Sequence, residues 1–182
     1  MLSSNARGLH KTGLHCAALF CIIIGLGFAR AQMLCVVTDT QPDEDVTEVI
    51  VELSLEPTPT WTVAWNHSVT GILVRDFYAV EAGIMTLVGS HTPSFDAGLG
   101  HIPGRGRVVS DANHGYWIMD INEVVPGNRY LLRVGSENVN HRIIHEETTY
   151  SLSEVVAGKR VRVFIAEDCL EPSTISDQEP RD

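Results

Sequence analysis

The stretch Trp61-Thr-Val-Ala-Trp-Asn-His67-Ser68-Val69 brings two tryptophans, a histidine and a serine together. His67 takes the next place in the series Trp61, Val63, Trp65, so in a strand it continues the apolar face. A histidine there has two readings: a ring with one nitrogen free for a ligand or a metal, or a buried ring that satisfies a loop carbonyl. Ser68 is adjacent and in a strand faces the other way, which excludes a local Ser–His nucleophile pair.

The second candidate is the stretch from Ser94 to Gly106. Gly98, Gly100, Gly104 and Gly106 could let backbone N–H groups surround an anion, with Arg105 and Arg107 beside them. The competing reading is a plain Ω-type connection, since the spacing matches neither a Walker motif nor a dinucleotide fingerprint. Beyond the leader, the histidines are His67, His91, His101, His114, His141 and His145, with no H-x-H or H-E-x-x-H among them. His141 and His145 would share a strand face about 13 Å apart, too far for one metal on a straight strand. G-x-S-x-G and S-x-x-K are absent. No catalytic residue, metal or cofactor is therefore assigned. Trp65, Tyr78, Phe95 and Trp117 line an apolar ligand slot in one reading and form the bulky core of a small β domain in the other.

The elements that must position these groups read as strands. From residue 34 the apolar period is mostly two, over Leu34–Thr38, Glu48–Leu55, Trp61–Asn66, Val74–Glu81, Ile84–Ser90, Arg107–Ser110, Tyr116–Ile121, Tyr130–Val134, Asn140–His145 and Arg160–Ile165. Turn chemistry separates them, with Pro126-Gly127 suited to the centre of a type II turn. Ser151-Leu-Ser-Glu154 has the form of a capping box, and Gly158 can end a short helix. The expectation is all-β: a single sandwich-like or partly closed barrel domain of roughly 8–10 short strands with one short helical turn.

Residues 1–31 read differently. Arg7, His10 and Lys11 precede an apolar run over residues 16–28, and Ala29-Arg30-Ala31 has the small-x-small form of an export site. At about 20 Å as a helix, the run is short for a ~30 Å hydrocarbon core. A cleaved signal peptide is the first expectation and an N-terminal anchor the second, giving a periplasmic or extracytoplasmic protein that meets a membrane only through an uncleaved leader. The domain is expected over residues 32–170, and the polar stretch 171–182 as a disordered tail. The chain carries 23 acidic against 13 basic residues, a net charge of −10. That balance argues against nucleic acid, which asks for a basic surface. Cys16 and Cys21 belong to the leader. Cys35 and Cys169 remain, as a disulfide permitted by an oxidising compartment or as two separately buried thiols.

The ordered blocks His67-Ser68-Val69, Asp76-Phe77-Tyr78, Ser94-Phe95-x-Ala97-Gly98-Leu99, Gly115-x-Trp117 and Leu132-Arg133-Val134-Gly135 resemble domain of unknown function 1850, a family of small exported proteins. The resemblance runs from about Leu34 to Leu170. Asp76 stands where the family usually has glutamate, and Asp96 and Gly100 depart from its loop block. The resemblance implies association: members are encoded beside TRAP-type transporters of the TAXI class. The implied partners are the transporter membrane subunits or the TAXI substrate-binding protein. The candidate positions it implies are His67, Ser68, Asp76, Phe95, Gly98, Leu99, Trp117, Arg133 and Gly135. The expected function is that of an exported, non-catalytic accessory and interaction module. The alternative is a small-molecule- or metal-binding periplasmic sensor or chaperone. His67, Asp76 and the Phe95–Gly106 loop are expected to converge at one end of a sheet.

Overall fold

Valine, isoleucine, threonine and aromatic side chains suit a pleated, half-buried surface, and they fill the alternating stretches of this chain. The structure is a computed structural model, which describes residues 31–39, 47–95, 102–111 and 115–170. The leader and its apolar run 16–28, the tail 171–182, and Gly98 and Leu99 lie outside the described residues. Within them the chain forms β1 (Met33–Thr38), β2 (Val49–Ser54), β3 (Thr60–Asn66), β4 (Leu73–Glu81), β5 (Ile84–Thr92), β6 (Arg107–Asp111), β7 (Gly115–Val124), β8 (Arg129–Arg133), β9 (Arg142–His145), β10 (Thr148–Ser151), α1 (Leu152–Val156) and β11 (Arg160–Ala166).

The strands make two antiparallel sheets. The smaller has the order β2-β1-β11-β8 and the larger β10-β9-β3-β4-β5-β7-β6. Neither closes into a barrel, so the fold is an all-β sandwich. Its core is the interleaving of inward positions: Leu34, Val36, Val51, Leu53, Val161 and Val163 from the smaller sheet meet Trp61, Val63, Val80, Met85 and Ile143 from the larger. Each such aliphatic side chain contributes about 1.5–3 kcal/mol by leaving water.

β1 departs from alternation because it is covered on both faces. Leu34 and Val36 face the larger sheet, whereas Cys35 and Val37 pack with Phe164 and Cys169 on the other side. The segment after β11 folds back over that side, where Cys169 is disulfide-bonded to Cys35 with Cα atoms 5.4 Å apart. Beside it, Asp39 takes ion pairs from Arg160 at 2.6 Å and Arg162 at 2.9 Å.

The turns follow their chemistry. Gly127 takes φ +62°, and the Asn128 N–H donates to the Val125 carbonyl at 3.0 Å. The Asn128 amide then accepts from the Met85 N–H at 2.8 Å and donates to the Gly83 carbonyl at 2.7 Å, which fastens the β4–β5 turn to the approach to β8. Ser151 caps α1 by accepting from the Glu154 N–H at 3.3 Å. β10 is an element that alternation does not announce: Thr148-Thr149-Tyr150-Ser151 pairs with β9 through the tight Glu146–Glu147 turn, Glu146 having φ +51°.

Candidate functional site

Cross-strand register places residues from distant parts of the chain in rows, and two adjacent rows of the larger sheet hold its polar chemistry. On the inner face, one row runs Ile143, Val63, Asp76, Ser90, Ile118, Val108 across β9, β3, β4, β5, β7 and β6. Asp76 is the acid in this row, facing the same side as the core residues Val63 and Ile143. Burial raises its pKa above the usual carboxylate value of 3.8, while the Ser90 side chain and the Arg105 charge work the other way. The Ser90 hydroxyl also donates to the Arg75 carbonyl at 3.2 Å.

Tyr78 lies one inward position along β4. Its ring stacks on Trp61 and on Tyr130 of the opposite sheet, with centroids 5.4 Å away in each case. Burial first, and the Asp76 charge second, push the Tyr78 hydroxyl up to about 12. Burial likewise holds Tyr130 well above its ordinary value. Among the described residues the buried Trp61 Nε1 and Tyr130 hydroxyl find no partner of good hydrogen-bond geometry, although the polar ends of Trp61, Tyr78 and Tyr130 interact with one another. The inner site is thus a carboxyl group at the edge of an aromatic stack, with Arg105 brought in from the loop before β6.

The loop arginines have acid partners. Arg105 donates from Nε to Glu123 at 2.9 Å and reaches the same oxygen from Nη2 at 2.8 Å, and Arg107 pairs with Asp120 at 3.3 Å. Both arginines beside the glycine-rich stretch thus stand next to carboxylates, while Gly98 and Gly100 of that stretch lie outside the described residues. The loop leaves β5 at Phe95, whose ring stacks on Tyr116 near the start of β7 at 4.0 Å. It returns at Gly106, where an added Cβ would stand 2.6 Å from the Met119 carbonyl.

The outer face carries the second row: Ser151, Arg142, Ala64, Arg75, His91, Trp117, Val109, one residue from each strand of the larger sheet. Trp117 tilts over His91 with centroids 4.4 Å apart and stacks on Phe77 at 5.5 Å. Phe77 and Trp117 meet across Gly89, which has no side chain to separate them. Val109, Trp117 and Met119 are exposed here.

The remaining candidates serve the ends of the sheets. His67 follows β3 at the same end of the larger sheet at which Phe95 follows β5. Its Nδ1 accepts from the Val69 and Thr70 N–H groups at 3.3 and 3.4 Å, so the ring organises its own turn, with Ser68 exposed in it. Arg133 is exposed on β8 of the smaller sheet. Gly135 is required by a close approach, since a Cβ there would stand 2.6 Å from the Val139 side chain. Its N–H donates to His141 Nδ1 at 2.9 Å. His145 contacts the Thr58 carbonyl at 3.0 Å. The candidates therefore divide among the inner face, the outer face and the loops rather than forming one pocket. Trp65, Tyr78, Phe95 and Trp117 likewise do not share one slot. Arg75, Arg142 and Ala64 are additions that the sequence does not single out, because only register makes them neighbours.

Residues 61–152 match the family described as Domain of unknown function (DUF1850). The chain belongs to this family. The DUF1850 match runs from β3 to the start of α1, so it spans the whole larger sheet together with β8, while β1, β2 and β11 lie outside it. Both polar rows of the larger sheet thus fall inside the DUF1850 region, and the Cys35–Cys169 bridge falls outside it. No curated protein and no solved structure matches the chain.

Proposed function

We propose that this DUF1850 protein is an exported, non-catalytic accessory of a TAXI-type TRAP transporter, docking through the outer face of the larger sheet onto a membrane subunit or onto the substrate-binding protein. The observation that carries the reading is the exposed apolar group Val109, Trp117 and Met119 on that face, rimmed by the Arg107–Asp120 ion pair. Partly exposed aromatic residues within an apolar group are the usual anchors of protein contacts. Family membership supports the choice of partner through the genomic association the resemblance implies. The chain's negative charge supports solubility in an exported space.

The test is a pull-down from gently solubilised membranes of a native host, comparing wild type with Trp117→Ser. Wild type should recover a transporter component, and the variant should lose at least tenfold of it, as for an interface anchor. Failure of the wild type to recover any such component overturns the reading.

A further inference from the structure

On the outer face of the larger sheet, Arg142 and Arg75 flank the same residue. Both are direct register partners of Ala64, so their Cα atoms stand about two strand spacings apart, roughly 10 Å. Guanidinium groups on side chains of that length can meet over the small residue between them. Ala64 is fully buried although it lies on the face turned away from the smaller sheet. The side chains are held in place. Arg142 Nη1 donates to the Asn140 carbonyl at 2.8 Å, and Arg75 Nη1 approaches His91 Nδ1 at 3.5 Å.

These two cations repel one another. Desolvation first, and the charge of Arg75 second, lower the Arg142 pKa below the ordinary arginine value. Among the described residues neither forms an ion pair, in a chain with ten more acids than bases. Arg105, Arg107, Arg160 and Arg162 each have a carboxylate beside them. A pre-positioned guanidinium pair with no carboxylate beside it among the described residues is what an external carboxylate neutralises, because each planar fork matches the two oxygens of the anion. Along the same face Phe77 and Trp117 stack beside the pair and offer an apolar wall.

We propose that Arg75 and Arg142 form a binding site for an organic carboxylate, seated over Ala64 with its apolar portion turned toward Phe77 and Trp117. The site stands independently of the transporter reading, since it needs only the isolated chain.

Calorimetric titration of the purified protein at low salt with phenylacetate, acetate and inorganic phosphate tests it. Phenylacetate should bind more tightly than acetate, and both more tightly than phosphate. Arg75→Gln and Arg142→Gln should each weaken phenylacetate about tenfold, in line with the loss of one charge-assisted contact, while substitution of the exposed Lys159, Lys159→Gln, should leave it unchanged. Absence of carboxylate binding at millimolar concentration, tighter binding of phosphate, or unaltered binding in both folded variants overturns the proposal. Should either variant fail to fold, amide chemical shifts of the wild type decide. Phenylacetate should move Ala64, Arg75, Arg142 and Trp117, and shifts confined to other residues refute the site.

Discussion

Asp76 sits on the inner face of a sandwich, where a carboxyl group loses more hydration than Ser90 and Arg105 restore. The net effect raises its pKa in the folded state, so folding favours the protonated form. Asp76 therefore contributes its full stability below 3.8, the unfolded value, and progressively less as pH rises through the folded value. The expected outcome is that Asp76→Asn raises the urea midpoint at pH 7 and that its advantage fades as pH approaches 4. A midpoint lower than wild type at neutral pH would mean that Arg105 binds the carboxylate more strongly than burial opposes it. His141 has the opposite dependence. Burial lowers its pKa below 6.5, and Nδ1 must stay unprotonated to accept from Gly135. The neutral ring is thus favoured in the folded state, and stability is complete above 6.5 and declines as pH falls toward the folded value. Wild type should lose stability as pH falls below 6.5, and His141→Gln should flatten that dependence. Gly135→Ala should cost about 1–3 kcal/mol at every pH, through overlap with Val139.

Among the elements, β3 and β1 show where sequence reading succeeds and where it stops. Alternation in Trp61, Val63 and Trp65 identifies β3 because one face of it is covered by the core and the other is not. The sequence correctly reads β1 as a strand over Leu34–Thr38, but its cover on both faces is not legible there, since a short apolar run carries no periodicity that tells which side is buried. β10 carries threonines and a serine at an edge, so its pairing comes from the Glu146–Glu147 turn and not from its own pattern. The strands and turns were thus largely legible, whereas the site was legible only in part. Asp76 and Trp117 stand out by type, but the Arg75–Ala64–Arg142 juxtaposition depends on the registers of β9 with β3 and of β3 with β4. A shift of one residue in either register would turn an arginine to the opposite face. At this scale Ile143→Ala should cost about 2–5 kcal/mol, because β9 presents a fully buried side chain against Val63. Chemical denaturation would measure it, and a loss under about 1 kcal/mol would show that the core closes over the missing side chain.

At the scale of the molecule, the Cys35–Cys169 bridge links β1 of the smaller sheet to the segment following β11, across a sequence separation of 134 residues. The larger sheet and its two polar rows lie within that covalent loop. A cross-link that encloses so long a stretch restricts the unfolded chain far more than the folded one, where the two residues already meet in a buried cluster with Val37 and Phe164. Removing it should therefore lower stability by about 2–5 kcal/mol. The outer-face row of the larger sheet should keep its geometry, because the disulfide lies on the opposite layer of the sandwich. Denaturant midpoints of the oxidised protein and of Cys35→Ala/Cys169→Ala measure the first effect, and phenylacetate titration of the same folded variant measures the second. Intact mass should rise by about two hydrogens on reduction of the unfolded protein. An unchanged mass would remove the bridge as a source of stability, whereas an unchanged midpoint with the bridge confirmed would show that the unfolded chain already holds its two cysteines near one another.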